Sequence, residues 1–259
     1  FDMYESITGE NPYKVPMKIY PAPHYTMGGL WVDYNLMTTI DGLFATGESN
    51  FSDHGSNRLG ASALMQGLAD GYFIAPRTVI DYLASVDFET IDSTNPEVSS
   101  AVKSAEHRIS KLMNAPDPIH SPDYFHKKIG RILWNCCGMS REKDSLERAI
   151  EEIKSLELLF WKNIKVTGVD DDFNQTLERA GRVADFIELG QLMCLDALAR
   201  EESCGAHSRV EYLSESGEAK RDDKNYSHVS AWHYDESGPT IIKEALSFEY
   251  IKPSERNYK

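Results

Sequence analysis

The chain is short of positive charge. Its 27 lysines and arginines stand against 41 aspartates and glutamates, a formal net charge of −14. A nucleic-acid binder needs a basic face to meet phosphate, so the balance speaks against that class. It speaks equally against direct attachment to an anionic membrane surface. No apolar run approaches the roughly 18 residues of a membrane-spanning helix. The N-terminus lacks the basic, apolar and small-residue succession of a secretory leader, and it starts at Phe1 rather than Met, as a fragment would. Cysteine is scarce: Cys136, Cys137, Cys194 and Cys204 form no CxxC pair and no disulfide-framework spacing. They read as reduced thiols of a cytosolic protein. A GxGxxG turn is also missing, which removes the usual cradle for the ADP half of a dinucleotide.

What is present is an ordinary globular composition, 41% hydrophobic and 26% charged over 259 residues. That length allows one large domain or two small ones. Residues 1–85 hold 9 of the 17 glycines with only 4 basic and 9 acidic residues. Beyond them charge is dense and the apolar pattern is helical. The expected border lies at 85–93, with Ser93-Thr94-Asn95-Pro96 as a helix start. In the first part, 17–20 and 30–34 read as short strands and 42–46 as a buried one. From Gly60 apolar residues recur at helical spacing until Pro76, which should interrupt or kink the run.

Four helices are expected next, over 96–114, 122–137, a third capped by Ser140, and 174–200. The third carries the stripe Leu146, Ile150, Ile153, Leu156, Phe160 and Ile164 at steps of three and four. The fourth is apolar on a wide face, including Leu177, Ala180, Val183, Phe186, Ile187, Met193, Cys194 and Leu198, which predicts a central place in a bundle. Residues 205–259 read as an extended tail that wraps over other elements.

Several residues before position 65 invite a chemical reading. The Arg58 guanidinium is a natural clamp for a carboxylate, because its fork gives two parallel charged hydrogen bonds. His24 can donate to a carboxylate. Glu48, after Leu43-Phe44-Ala45-Thr46-Gly47, can accept from hydroxyls. The helix that opens near Gly60 presents free N–H groups and a partial positive charge. Each also has a plain structural reading: a surface ion pair, a hydrogen-bonded histidine, a solvated acid. His54 fits a structural hydrogen bond in a tight loop at least as well as a site. Cys204 and His207 are only two potential ligands, too few for a metal.

Taken in order, His24-Tyr25-Thr26-Met27-Gly28-Gly29, then Gly42 to Glu48, then His54-Gly55-Ser56-Asn57-Arg58-Leu59-Gly60-Ala61-Ser62-Ala63-Leu64 resemble the flavin and dicarboxylate site of the succinate dehydrogenase and fumarate reductase flavoprotein subunits. Glu202-Ser203-Cys204-Gly205-Ala206-His207-Ser208-Arg209 and Arg221-Asp222-Asp223 resemble elements of the same family's C-terminal domain, so the likeness spans nearly the whole chain. The commoner family pattern has Gly, Asn and Ser where this chain has Ala61, Ser62 and Ala63.

The resemblance implies an α+β, mainly α chain: a remnant of a FAD-binding α/β domain (1–85) with the dicarboxylate site, a helical bundle (86–204) and an extended C-terminal tail (205–259). It implies substrate binding by His24 and Arg58, and FAD contacts from Glu48, Ala63 and Leu64. Succinate and fumarate are the implied substrates, with electrons passing to an iron–sulfur subunit. The family's general-acid arginine, its flavin-linked histidine and its ADP-binding motif lie upstream. No catalytic acid is therefore expected in this chain, and the fragment alone is expected to be inactive, with FAD weak or absent. The parent protein would sit in the cytoplasm at the inner face of the membrane, held only through partner subunits. L-aspartate oxidase, which shares the His and Arg blocks, and a helical docking module for the iron–sulfur subunit are the alternatives.

Overall fold

The structure, a computed structural model, describes residues 1–18, 24–51, 58, 60–88, 90–169, 173–235, 237–250 and 252–254. Its centre is a group of four helices: α4 (Pro96–Met113), α5 (Pro122–Cys136), α6 (Lys143–Asn163) and α7 (Gln175–Ala199). The expected stripe of α6 is buried along its whole length, from Leu146 through Phe160 to Ile164 just past the helix end. It meets Phe125 and Ile129 of α5 and Ala180, Val183, Ile187 and Cys194 of α7 in one apolar cluster. Phe125 packs edge-on to Phe160 at 5.1 Å between ring centroids. Helix α7 crosses α5 closely because Gly190 carries no side chain. A Cβ there would sit 3.1 Å from Ile129 Cδ1 and 3.3 Å from Leu133 Cδ1. The apolar face of α7 is narrower than expected, for Phe186 and Met193 remain exposed.

Caps decide where these helices begin. Asn95 accepts from the Glu97 N–H, and Asn174 accepts from the N–H groups of Thr176 and Leu177, as their short side chains favour. Ser140 does not cap α6. Arg141 is taken up by the tail, donating its N–H to Ser208 O and accepting from Val210 N, so the helix cannot start before Glu142. The Lys143 N–H is instead received by the Glu211 carboxylate.

The tail is built rather than merely extended. It holds a short helix α8 (Asp223–Tyr226) and an antiparallel hairpin of β1 (His228–His233) and β2 (Thr240–Ala245), with Ala231 opposite Ile242. The signal was the Gly238-Pro239 turn between two runs rich in β-branched and aromatic residues. The tail wraps the end of α7 through arginines. Arg209, 1% exposed, donates to the Ala197 and Leu198 carbonyls at 2.9 and 3.2 Å, placing a cation at the negative end of the helix. Arg200 reaches Glu202 and the carbonyls of Tyr226 and His228. The Trp232 indole donates to Asp196. His207 lies between the Arg141 guanidinium and the Arg200 carbonyl.

Residues before 86 are organised differently. A short helix α1 (Asp2–Thr8), absent from the sequence expectation, buries none of its residues. The three expected strands are not formed among the described residues, and 19 and 20 fall outside them. Pairing is limited to single bridges, Leu30 with Asn50 and Met37 with Phe44. Asp33 is one cause: its carboxylate accepts from Asn35 N and Met37 N at 2.8 and 3.0 Å. That local turn competes with any ladder. A small core of Val32, Leu36 and Ala45 results, joined by Phe51, Ile74 and Ala75.

From α2 (Ser62–Ala69) the helix continues through a wide π turn (Asp70–Ile74) into α3 (Ala75–Ser85). Pro76 therefore does not end the run. The π turn lies directly before the proline, where an α-helical carbonyl would meet its ring.

Candidate functional site

The three blocks converge on two residues, Tyr25 and Thr26. The Thr26 N–H donates to Glu48 Oε1 at 2.7 Å, joining the first block to the second. The Arg58 guanidinium carbon lies 4.4 Å from the centre of the Tyr25 ring, joining the third block to the first. Close approach of the two segments is possible because Gly29 has no side chain. A Cβ there would stand 2.5 Å from the carbonyl oxygens of both Ser49 and Asn50.

Glu48 lies in a one-turn 3-10 helix (Gly47–Ser49) rather than at the end of a buried strand. Its second carboxylate oxygen accepts no hydrogen bond among the described residues. Helix α2 abuts that turn, with Gly67 facing Gly47. Ala61 precedes α2 in the left-handed region, φ 63°, and the helix start has no side-chain cap. Ala63 is buried in the first turn, whereas the Leu64 side chain is 70% exposed.

His24 and Arg58 have no acid partner among the described residues, whereas Arg108, Arg148, Arg179 and Arg182 of the bundle each have one. His24 is exposed and makes no hydrogen bond among the described residues. Arg58 makes no ion pair there, and its Nε is buried without a hydrogen-bond partner. A guanidinium without an acid partner among the described residues, an imidazole donor, an acceptor carboxylate and an uncapped helix start suit an anionic ligand that also carries hydroxyls. Tyr25 and Thr26 were in plain view within the first block, but sequence reasoning gave a role only to their neighbour His24. Their contacts run to residues 22 and 33 positions away, which no local pattern reveals. His54 lies outside the described residues. Among the described residues no group of three or more His, Cys, Asp or Glu side chains is placed to hold a metal.

The family described as "Fumarate reductase flavoprotein C-term" matches residues 126–258. The chain belongs to that family. A "FAD binding domain" family matches residues 2–64, the stretch that contains all three blocks up to Leu64. The succinate dehydrogenase flavoprotein subunit of Bacillus subtilis is 31% identical over 257 residues, covering 99% of this chain and 43% of that relative. The fumarate reductase flavoprotein subunit of Escherichia coli is 27% identical over 259 residues, covering 99% and 41%. A solved structure of an E. coli quinol fumarate reductase FrdA variant superposes with a TM-score of 0.82 at 26% identity, over 98% of this chain and 42% of that one. The chain thus spans well under half the length of these relatives. Its mainly helical character, with one small sheet among the described residues, agrees with the expected fold class.

Proposed function

We propose that this chain is the C-terminal portion of a flavoprotein that interconverts succinate and fumarate, with His24 and Arg58 binding the carboxylates. The observation that carries the reading is Arg58 and His24, without acid partners among the described residues, gathered at Tyr25–Thr26 in a chain of net charge −14. The residues present fit FAD. Glu48 keeps one carboxylate oxygen for a ribityl hydroxyl while Thr26 holds the other. The uncapped first turn of α2, with Ala63 and Leu64, offers backbone N–H groups and positive potential. When bound, FAD supplies the hydride acceptor or donor. His24 and Arg58 orient the dicarboxylate and hold the charge that grows on it in the transition state. Loss of one such donor costs about 3 kcal/mol of that stabilisation. No residue of this chain is assigned the proton-donating role.

The division into a flavin-domain part (1–85), a bundle (86–204) and a tail (205–259) belongs to the same proposal. So do an iron–sulfur subunit as electron acceptor and a place at the inner face of the cytoplasmic membrane through partner subunits. No helix among the described residues is long and apolar enough to cross a membrane.

The test is the absorbance of the purified chain between about 350 and 500 nm, before and after FAD and malonate, alongside dye-coupled succinate oxidation. A flavin spectrum perturbed by malonate, without turnover, supports a half-site that needs the upstream part. Turnover by the isolated chain would overturn its assignment as an inactive portion. A second reading rests on the L-aspartate oxidase of Synechocystis, 24% identical over 216 residues. The family match running on to residue 258 favours the dehydrogenase. Competition between malonate and aspartate on the full-length flavoprotein separates the two.

A further inference from the structure

Among the described residues the cation of Arg58 is held by an aromatic face rather than by an acid. This contrasts with Arg209, bonded to Glu211, and Arg200, bonded to Glu202. A carboxylate partner would consume the N–H donors of the fork and cancel its charge, leaving little for an incoming anion. A ring face attracts the cation through its quadrupole and uses none of those donors. The Arg58 Nε, buried and without a hydrogen-bond partner, shows that part of the guanidinium is withdrawn from solvent while its donors stay unspent. The chain that follows Tyr25 is held at two points. Thr26 is hydrogen-bonded to Glu48, and Gly29 lies against the Ser49 and Asn50 carbonyls.

We propose that Tyr25 is a positioning residue for dicarboxylate binding: its ring sets the orientation of the Arg58 guanidinium and keeps it available to the substrate. The inference rests on the dicarboxylate reading of Arg58 and adds a residue to it. The stack acts on the cation alone, so it should govern affinity for a dianionic ligand and leave flavin retention untouched. Glu48 also connects the two halves, because it receives the N–H next to Tyr25. A change at Tyr25 that spares the Thr26 bond isolates the ring's contribution.

The experiment compares Tyr25→Leu and Tyr25→Phe in the full-length flavoprotein. It reads flavin content, the malonate Kd from the flavin spectrum, and KM and kcat for fumarate. Tyr25→Leu is expected to weaken malonate binding and raise KM about 5- to 30-fold, the equivalent of about 1–2 kcal/mol, with flavin content unchanged. Tyr25→Phe keeps the π face and is expected to stay within about twofold of the parent. A Leu variant with the parent's Kd and KM overturns the proposal. So does a Phe variant as impaired as Leu, since the hydroxyl would then be the active group. Loss of flavin in the Leu variant overturns it as well, by making the ring structural. A parent flavoprotein whose spectrum ignores malonate fails at an earlier step and overturns the dicarboxylate reading itself.

Discussion

In α6 the apolar stripe from Leu146 to Phe160 is buried against α5 and α7, whereas along α2, the π turn and α3 the side chains of Leu64, Met65, Tyr72, Phe73 and Ile80 stay exposed. Polar groups follow the same division. The bundle and tail satisfy Arg209, Glu202 and His207 internally, while in the segment before residue 86 His24 and Arg58 have no acid partner among the described residues. One region spends its side chains on its own stability. The other leaves more apolar surface exposed, and among its described residues the core cluster is Val32, Leu36 and Ala45.

A pair of matched truncations gives the largest expected contrast. Phe160→Ala removes a fully buried ring and is expected to cost about 3–5 kcal/mol. Phe73→Ala, at an exposed position, is expected to stay within about 0.5 kcal/mol. Urea unfolding of both variants checks this, and equal losses would erase the distinction between the regions.

Arg209→Met comes next. It leaves the Ala197 and Leu198 carbonyls without their donor and Glu211 without its guanidinium, at an expected cost of about 3 kcal/mol. Hydrogen exchange at the end of α7 should accelerate with it. An unchanged α7 terminus would show that the tail only rests on the bundle.

A pH scan tests the same network more gently. Burial, with Arg141 and Arg200 nearby, pushes the His207 imidazole below its ordinary value. The unfolded chain then takes up this proton more readily than the folded one. The stabilisation is complete above about pH 6.5 and is lost as pH falls from there through the folded value. The urea midpoint should decline from pH 7.5 toward pH 5, and His207→Gln should flatten that decline.

The smallest effect is a gain in the other region. Ala61 adopts a left-handed backbone at the start of α2, where the resembling family pattern has glycine. Ala61→Gly should relieve strain of about 1 kcal/mol, read as slower hydrogen exchange in α2. A destabilised α2 would mean that the left-handed turn is not the strained element.

The helices of the bundle were legible because their information is local. The stripe of α6 and the Asn95 and Asn174 caps depend on residues two to four apart. The α6 start was misplaced for the opposite reason: what delays it is Arg141 pairing with Ser208 and Val210, far along the chain. The hairpin in the tail was overlooked although its turn and flanking residues announce it. Strands at 30–34 and 42–46 failed because a strand exists only with a neighbour to receive its ladder, and Asp33 offered a local turn instead.

By itself the sequence determined the helical bundle, its buried stripe and the three blocks that mark the family, since periodicity, caps and ordered motifs are written in neighbouring residues. Only the tertiary structure decided that those blocks meet at Tyr25 and Thr26, that Arg58 rests on a ring, and that Arg209 closes α7. Those contacts are selected by folding among many chemically equivalent partners, and close packing admits one.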